Sequence, residues 1–359
     1  MMDMDRGFSL VELIVAMALT LLVMSAAFSL AAPGTATGRT EPESVDVQQR
    51  ARVGADSLIR DLQMAGAGVH LGPATGPLRS FFAPILPRRA GLQNPDPFSA
   101  ARPDAITIMY VADTLAQSVL RAPLPSAGAS LLVHPLPNCA AGGALCRLAQ
   151  GSSLVVFDTV GHFDFFTLLQ VQVDSGQLRS WQKAHSSFSY PAGAVVAEAV
   201  WHTYYLDAQN RQLRHFDGYL TDIPVVDNVV DLAFDYFGNP VPPGAPRPVL
   251  GEANCLFDAA GAPQPGLALL AAQGGSLAHL PLSMFTDGPW CGDGENKFDA
   301  DLFRIRSVRV TLRVQAANDM LRGQSADFGV AGKSLSAARR VPDYTLRFDV
   351  APRNMGWHR

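Results

Sequence analysis

The chain has 359 residues, of which 48% are hydrophobic and 17% are charged, and it contains 31 glycines and 26 prolines. This composition disfavours intrinsic disorder, which needs low hydrophobicity and high net charge, and it disfavours a coiled coil because helix breakers are frequent. The formal net charge of −4 argues against a nucleic-acid partner, and a mean hydropathy of +0.12 excludes a polytopic membrane protein. A globular protein of one or two domains remains, with one possible membrane segment.

The N-terminal region contains that segment. Residues 1–7, MMDMDRG, are short and polar, and residues 13–32 form a run of 20 residues without a charge. Twenty helical residues at about 1.5 Å each span the roughly 30 Å hydrocarbon core of a bilayer. No glycine or proline interrupts the run, and Pro33 with Gly34 ends it. We therefore predict a transmembrane helix.

A secretory signal peptide and a plain signal anchor are the two ordinary interpretations of such a run. The run is longer than the apolar part of a secretory signal, although Ala31 and Ala32 resemble a cleavage site. Neither interpretation explains Glu12. A carboxylate at the edge of an apolar helix is costly in lipid, so its presence requires a partner or a function.

The string GFSLVEL at residues 7–13 resembles the class III signal of type IV prepilins and of type II secretion pseudopilins. The resemblance implies that prepilin peptidase cleaves between Gly7 and Phe8 on the cytoplasmic side. It also implies that the new Phe8 amine is N-methylated and that the apolar segment stays on the mature protein. Glu12 would then pair with the Phe8 amine of a neighbouring subunit in a filament, because a buried charge is tolerated only when it is paired. The alternative is that Glu12 lies in the headgroup zone.

The leader departs from the family pattern in its charge. Family leaders are usually basic, whereas Asp3 and Asp5 here offset Arg6 and the initiator amine. The positive-inside rule therefore gives little help with orientation. The cytoplasmic placement of the N-terminus depends on the motif instead.

A second helix is predicted after the membrane run. The glycines and proline of residues 33–40 predict a break or a softened stretch, and Thr40 with Glu43 fits a capping box. The second helix would run from there to about Ala65, where Gly66 ends it. Its apolar face comprises Ala51, Ala55, Leu58, Ile59 and Leu62. The opposite, solvent-facing side comprises Arg50, Arg52, Asp56, Arg60 and Asp61.

Beyond residue 104 the hydrophobic period changes to two, which is typical of strands. Strands are predicted at 106–111, 154–157, 163–173, 200–216 with a hairpin turn at 207–211, 225–238, 308–314 and 343–350. One helix followed by many strands is the α+β pattern. We therefore predict an α+β fold in which a long N-terminal helix, transmembrane in its first half, packs on an antiparallel sheet.

Further sequence features resemble the large minor pilins of the PilW type and the J-type minor pseudopilins of type II secretion. They are the helix sequence of residues 48–68, the hairpin, the strand after it and the closing VAPRN. The match is specific over about the first 65 residues, looser from 195 to 354, and absent over 70–190. The implied domains are a leader at 1–7, a transmembrane helix at 8–32, an amphipathic half-helix at 33–66, and a periplasmic β-rich head at 67–359 with insertions near 70–103 and 240–295.

The resemblance implies a minor pilin that takes part in initiating or assembling a type IV pilus. Its partners would be other minor pilins, the major pilin, prepilin peptidase and the inner-membrane assembly platform. It would lie in the inner membrane as a single-pass protein and later in the pilus at the cell surface. Two alternatives are a J-type pseudopilin and a signal-anchored periplasmic binding or adhesive domain. No nucleophile elbow, zinc-protease motif or P-loop occurs, so we do not expect an enzyme.

The four cysteines are candidates for disulfides, since these form outside the cytoplasm. Of the three possible pairings we favour Cys139–Cys146 with Cys255–Cys291. Zinc is not predicted, because there is no C-x-x-C pair and no histidine at ligand spacing, and His162 and His202 are interpreted as packing or surface residues. No cofactor is expected apart from calcium, for which a Gly-rich loop supplies candidate ligands and a solvated acidic loop is the alternative. The candidate calcium ligands are Asp293, Glu295, Asp299 and Asp301.

Overall fold

The computed structural model describes most of the chain. The described residues are 9–68, 82–91, 93–111, 117–126, 130–135, 148, 150–159, 162–172, 177–180, 188–245, 247–248, 250–271, 277–292, 294–322 and 340–355. The chain forms two compact units. One comprises Met1–Arg50 and Val314–Tyr344, and the other comprises Ala51–Arg313 and Thr345–Arg359.

One helix, α1, spans Leu10–Met64, a length of 55 residues. Of the two alternatives predicted for residues 33–40, the break is wrong, because the backbone is helical throughout that stretch and α1 is one long helix. Restarting a helix there would add a second nucleation, about 4 kcal/mol, and would create two new ends whose N–H and C=O groups need partners. These costs offset the roughly 3 kcal/mol that an internal proline costs and the roughly 1 kcal/mol per glycine.

The predicted capping box at Thr40 and Glu43 is consequently wrong as well. Both residues lie inside α1, where no helix begins. The Glu43 carboxylate instead accepts hydrogen bonds from the backbone N–H groups of Ala317 and Asn318. It thereby ties the helix to the loop that follows the strand ending at Val314.

The last four turns of α1 bury the predicted apolar face. Ala51, Ala55, Leu58 and Leu62 are each at most 4% exposed. Gly54 lies on the same side, where a Cβ atom would come within 3.0 Å of Leu312, so the glycine permits close approach of the helix to the sheet. The prediction differs at three positions: Ile59 of the apolar face is only half-buried, whereas Asp61 and Arg50 of the solvent-facing side are buried and half-buried.

A five-stranded antiparallel sheet has the order β1-β2-β9-β10-β11. Its strands are β1 (Ile85–Leu86), β2 (Ala105–Tyr110), β9 (Val200–Asp207), β10 (Gln212–Phe216) and β11 (Asp222–Asp227). Strands β9 and β10 form the predicted hairpin, with Asp207 opposite Gln212. The predicted α+β class with antiparallel sheets is confirmed.

A four-stranded sheet has the order β13-β12-β16-β17. Its strands are β12 (Val229–Gly238), β13 (Ala278–Leu280), β16 (Ile305–Val314) and β17 (Tyr344–Val350). The predicted alternation along β16 is confirmed, because its apolar side chains are fully buried and the residues between them are half-buried. A small ribbon pairs β14 (Trp290–Cys291) with β15 (Phe298–Asp299).

A third, six-stranded sheet occupies the region without family resemblance, in the order β3-β8-β5-β6-β7-β4. Its strands are β3 (Gln117–Val119), β4 (Ser130–Leu132), β5 (Ser153–Phe157), β6 (Phe163–Gln172), β7 (Gln177–Ser180) and β8 (Val195–Glu198). The two outer strands also meet, through a bridge between Leu120 and Val133 and a 2.7 Å hydrogen bond from Arg121 N–H to the Leu132 carbonyl. The sheet therefore closes into a small barrel with its own apolar core.

The barrel is an insertion in a strand pair. Strand β2 ends at Tyr110 and pairs over its whole length with β9, which begins at Val200, and all six barrel strands lie between them in the chain. The parent sheet is thus complete without the barrel.

Candidate functional site

The described chain begins at the start of α1 with a reciprocal capping pair. The Ser9 N–H donates to Glu12 Oε2 at 2.9 Å, and the Glu12 N–H donates to Ser9 Oγ at 3.2 Å. This is a capping box, which satisfies two of the N–H groups that a helix start leaves without partners. Glu12 itself is exposed. The predicted cleavage and methylation residues, Gly7 and Phe8, lie outside the described residues.

The segment that follows is apolar on all sides. Leu10–Ser29 has a mean hydropathy of 2.3 with none of it buried, and it is long and apolar enough to cross a membrane. Its large side chains are exposed by at least half their area: Leu10, Val11, Leu13, Ile14, Val15, Met17, Leu19, Leu21, Leu22, Val23, Met24 and Phe28. An apolar surface of this extent marks a membrane or protein contact.

A polar cluster lies at the other end of α1, where the helix meets the five-stranded sheet. Asp61 Oδ2 accepts from His202 Nδ1 at 2.6 Å and from the Tyr204 hydroxyl at 2.6 Å. The Tyr110 hydroxyl donates to Asp61 Oδ1 at 3.4 Å. The rings of His202 and His215 lie 4.5 Å apart at 83°.

The surroundings of this cluster shift the pKa values of its members. Burial alone would raise the pKa of Asp61, but the hydrogen bonds from His202 and Tyr204 outweigh it and lower the pKa. Burial lowers the pKa of His215, and the neighbouring His202 lowers it further. Burial and the Asp61 charge raise the pKa of both Tyr110 and Tyr204. The carboxylate therefore stays ionised and His215 stays neutral.

Sequence reasoning missed this cluster, although a signal was present. His202 and Tyr204 alternate along β9, and in the structure His215 of β10 lies opposite Tyr204. The three side chains then share one face of the sheet. The contribution of Asp61 was hidden because the residue type suggested a solvent-facing position.

The acidic loop proposed for calcium uses its carboxylates inside the fold. Asp293 and the side chain of Glu295 lie outside the described part of the loop. Asp299 accepts from the N–H groups of Gly288 at 2.6 Å and Asp301 at 2.9 Å, and Asp301 lies 2.6 Å from the buried Arg304 guanidinium. Burial raises the pKa of Asp299 and of Asp301 to about 6. Carboxylate oxygens of Asp287, Asp299 and Asp301 lie within 4.8 Å of one another, so this group could hold an ion, and calcium binding stays a prediction.

A disulfide joins Cys255 to Cys291, the longer of the two pairs favoured from the sequence, with 5.0 Å between the Cα atoms. It connects the Gly/Pro-rich segment before residue 271 to β14. The other predicted pair, Cys139–Cys146, lies outside the described residues.

A cavity of about 570 Å³ is lined by aromatic rings together with polar and small residues. Trp201 and Asn296 are among its lining residues, and the Trp201 indole nitrogen and the Asn296 amide nitrogen are buried without a hydrogen-bond partner among the described residues. The main aromatic residues of its wall are Phe82, Phe98, Phe163, Phe165, Trp201 and Phe298.

Comparison with known proteins bears on the N-terminal segment. The family model described as the prokaryotic N-terminal methylation motif matches residues 2–28. No curated protein and no solved structure matches the chain. The match includes Gly7, Phe8 and Glu12 together with nearly all of the exposed apolar segment. The motif indicates a type IV pilin-like protein, of the pilin or pseudopilin class, that is a substrate of prepilin peptidase and is anchored in a membrane by its N-terminal helix.

Proposed function

We propose that this chain is a minor pilin of the PilW type that takes part in initiating or assembling a type IV pilus. Prepilin peptidase cleaves it between Gly7 and Phe8, and the Phe8 amine is methylated. The apolar half of α1 first holds the protein in the inner membrane, with the head in the periplasm. That half then leaves the membrane at the assembly platform and packs among the helices of other minor pilins and the major pilin, at the filament tip or in its base complex.

The observation that carries the proposal is the contrast between Glu12 and the surface around it. Every large side chain of the segment that follows is exposed and apolar, and Glu12 is the one carboxylate at its N-terminal end. Cleavage after Gly7 would make Glu12 the fifth residue of the mature chain. A carboxylate there would be near the α-amine of Phe8 in a staggered neighbour.

The capping contact is compatible with this role. A carboxylate has two oxygens and about four lone-pair positions, so a bond from Ser9 N–H to Oε2 leaves capacity for an ammonium group. In an apolar bundle, an unpaired charge costs several kcal/mol, about 3–5 when one partner of a buried pair is removed. This cost favours the axial register that brings Glu12 and the amine together.

The inserted barrel supports a pilus over a secretion pseudopilus. The resemblance implies smaller heads for J-type pseudopilins, and the six strands between β2 and β9 are material beyond the parent sheet. The proposed role is structural, since the chain is processed by an enzyme and packed into a filament without catalysing a reaction itself.

Mass spectrometry of the N-terminal peptide from the native envelope fraction tests the processing step. A chain that starts at Phe8 with one added methyl group supports the proposal. A chain that starts after Ala32 means ordinary signal cleavage and removes the filament role.

Three variants test the pairing role of Glu12. Glu12→Ala and Glu12→Gln should abolish surface pili, counted by electron microscopy, while Ser9→Ala should retain them. Ser9→Ala removes one bond of the capping box and keeps the Glu12 charge, so it controls for helix-start stability. If Ser9→Ala and Glu12→Gln impair assembly equally, capping accounts for Glu12 and the pairing role is lost.

Deletion of the gene separates the two filament systems. Loss of surface pili with normal export of secreted proteins supports the pilus. Normal pili with accumulation of secreted proteins in the periplasm would instead indicate the J-type pseudopilin.

A further inference from the structure

Three metal-ligating side chains converge where α1 meets the five-stranded sheet. Asp61 comes from the last turn of the helix, His202 from β9 and His215 from β10. One donor atom from each of the three lies within 4.8 Å of the other two. The three residues are widely separated in sequence, and all belong to the same compact unit.

The position of Asp61 is fixed by its neighbours. The Tyr204 hydroxyl, 2.6 Å from Oδ2, and the Tyr110 hydroxyl, 3.4 Å from Oδ1, hold the carboxylate from two sides. Such outer hydrogen bonds orient the ligands of metal sites and tune their basicity. A carboxylate has about four lone-pair positions, so these two hydrogen bonds leave Asp61 capacity for a metal bond.

His215 is the residue that the surrounding fold leaves unexplained. Its Nε2 atom is buried and has no hydrogen-bond partner among the described residues. A buried polar atom without a partner costs about 1–3 kcal/mol, so it calls for a ligand. The ring stands 4.5 Å from His202, at nearly a right angle.

We propose that Asp61, His202 and His215 bind one divalent transition-metal ion of the Zn²⁺ class. The site is independent of the pilus role, because it depends only on residues of the head. The ion takes the place of the proton between His202 Nδ1 and Asp61 Oδ2, and the imidazole that binds it is neutral and carries its one proton on Nε2. Two imidazoles with one carboxylate suit Zn²⁺ and similar ions, whereas Ca²⁺ and Mg²⁺ prefer all-oxygen sites.

The geometry needs only a small adjustment. Zinc bonds of about 2.0–2.2 Å place tetrahedral donors roughly 3.3–3.6 Å apart. The Asp61–His202 contact of 2.6 Å must therefore open slightly, and His215 must move inward by about 1 Å from the outer limit of 4.8 Å. The His202 side chain is 23% exposed, which gives the ion a route of entry and leaves a position for water.

A bound ion would fasten the end of the helix to the hairpin. The helix reaches β9 there through the Asp61–His202 and Asp61–Tyr204 hydrogen bonds. Coordination would add bonds from the helix to both strands of the hairpin. The proposal therefore predicts higher thermal stability with the ion as well as binding.

Zinc binding to the full chain in detergent tests the proposal. The protein is produced without a polyhistidine tag, stripped with EDTA, dialysed against Zn²⁺ and analysed for metal. Wild type should retain one Zn²⁺ per chain and show a higher Tm with the ion. His202→Gln and His215→Gln should each lower the affinity at least roughly tenfold, the scale seen even for outer-shell changes at metal sites, and should lose the Tm increase.

His279→Gln is the matched control. His279 is an exposed histidine on β13 whose ring contacts Phe237, away from the cluster. It should bind Zn²⁺ like wild type. Equal zinc content in wild type, His279→Gln and the His202→Gln/His215→Gln double variant would overturn the proposal, and so would a wild-type chain that retains no zinc.

A second measurement does not depend on the variants being folded. X-ray absorption at the zinc edge of the loaded wild-type protein should show nitrogen and oxygen neighbours at about 2.0–2.2 Å with the scattering of two imidazoles. Oxygen neighbours alone would overturn the assignment. The unfolding midpoint of each variant in EDTA separates loss of the site from loss of the fold.

Discussion

The two ends of α1 both carry leucine side chains but meet opposite environments. Between Leu10 and Ser29 nothing is buried, whereas Leu58 and Leu62 near the other end are fully buried against the head. In the second half of α1 the apolar face packs against other residues of the chain, so it supports the fold. In the first half the apolar surface has no covering within the described chain, so it is available to lipid or to neighbouring subunits.

A matched pair of leucine substitutions gives the largest expected contrast. Leu58→Ala should lower the free energy of unfolding of the head by about 3–5 kcal/mol, because it leaves a cavity under a fully buried side chain. Leu22→Ala, at a side chain 69% exposed, should leave that free energy unchanged. Denaturant unfolding in detergent, followed by tryptophan fluorescence, measures both.

The reverse outcome would break the comparison. If Leu22→Ala destabilised the head by more than about 1 kcal/mol, the first half of the helix would contribute to the fold of the head. If Leu58→Ala cost less than about 1 kcal/mol, the burial of that face would not be what holds the helix to the sheet.

Charge provides the next contrast, since residues 13–32 carry no ionisable side chain and the head contains paired ones. Asp222 accepts from the Tyr205 hydroxyl at 2.6 Å, from Arg214 Nε at 2.9 Å and from Arg89 at 3.2 Å. Asp222→Asn should lower the unfolding free energy by roughly 1.5–3 kcal/mol, as expected for hydrogen bonds to a charged group. Asp349→Asn, at an exposed pair with Arg309, should cost at most about 1 kcal/mol.

The same substitution has a predictable pH signature. Burial would raise the pKa of Asp222, but its bonds to Tyr205 and Arg214 dominate and lower it from 3.8. A lowered folded-state pKa contributes stability that is present above 3.8 and is lost as the pH falls below it. Unfolding curves at pH 3 to 6 should therefore show a steeper acid loss for wild type than for Asp222→Asn. Parallel curves would show that this carboxylate does not drive the acid loss.

The C-terminal end of the helix provides a smaller effect. Gly66 has φ +70°, the left-handed conformation that ends a helix, and its N–H donates to the Met109 carbonyl at 3.0 Å. Gly66→Ala should destabilise the head by about 1–2 kcal/mol, because a Cβ atom is strained there. Gly38→Ala, inside the continuous helix, should increase helicity in far-UV circular dichroism. If the two substitutions changed the unfolding free energy of the head equally, Gly66 would not act as a cap.

The sequence predicted those elements whose signal is local. Apolar residues recur with the strand period of two in the β9–β10 hairpin and in β16. The face that contains Leu58 follows the helical period. The barrel was missed because β3 and β4 have three residues each and pair only through closure with distant strands. The helix continues through Pro33 because stopping there would require a second helix nucleation further along the chain. That cost cannot be read from the residues around Pro33 alone.

The candidate sites divide in the same way. Gly7, Phe8 and Glu12 form one contiguous string, which the sequence alone displays. The cluster of Asp61, His202 and His215 comes from three elements. Asp61 was predicted on the surface because it is a charged residue. Burial of a carboxylate depends on partners that only the assembled fold brings together.

The smallest predicted effect concerns a cluster of charges on α1. Arg50 lies 2.7 Å from Asp46 one turn away and 3.8 Å from Glu43, and Asp46 is 52% exposed. Asp46→Asn should therefore cost only about 0.3–0.5 kcal/mol, since Glu43 still faces Arg50 and solvent screens the lost charge. Asp56→Asn, at an exposed position on the same helix, serves as the control. A loss above about 1 kcal/mol for Asp46→Asn alone, measured by thermal unfolding at low and high salt, would mean that ion pairs hold this helix as much as apolar burial does.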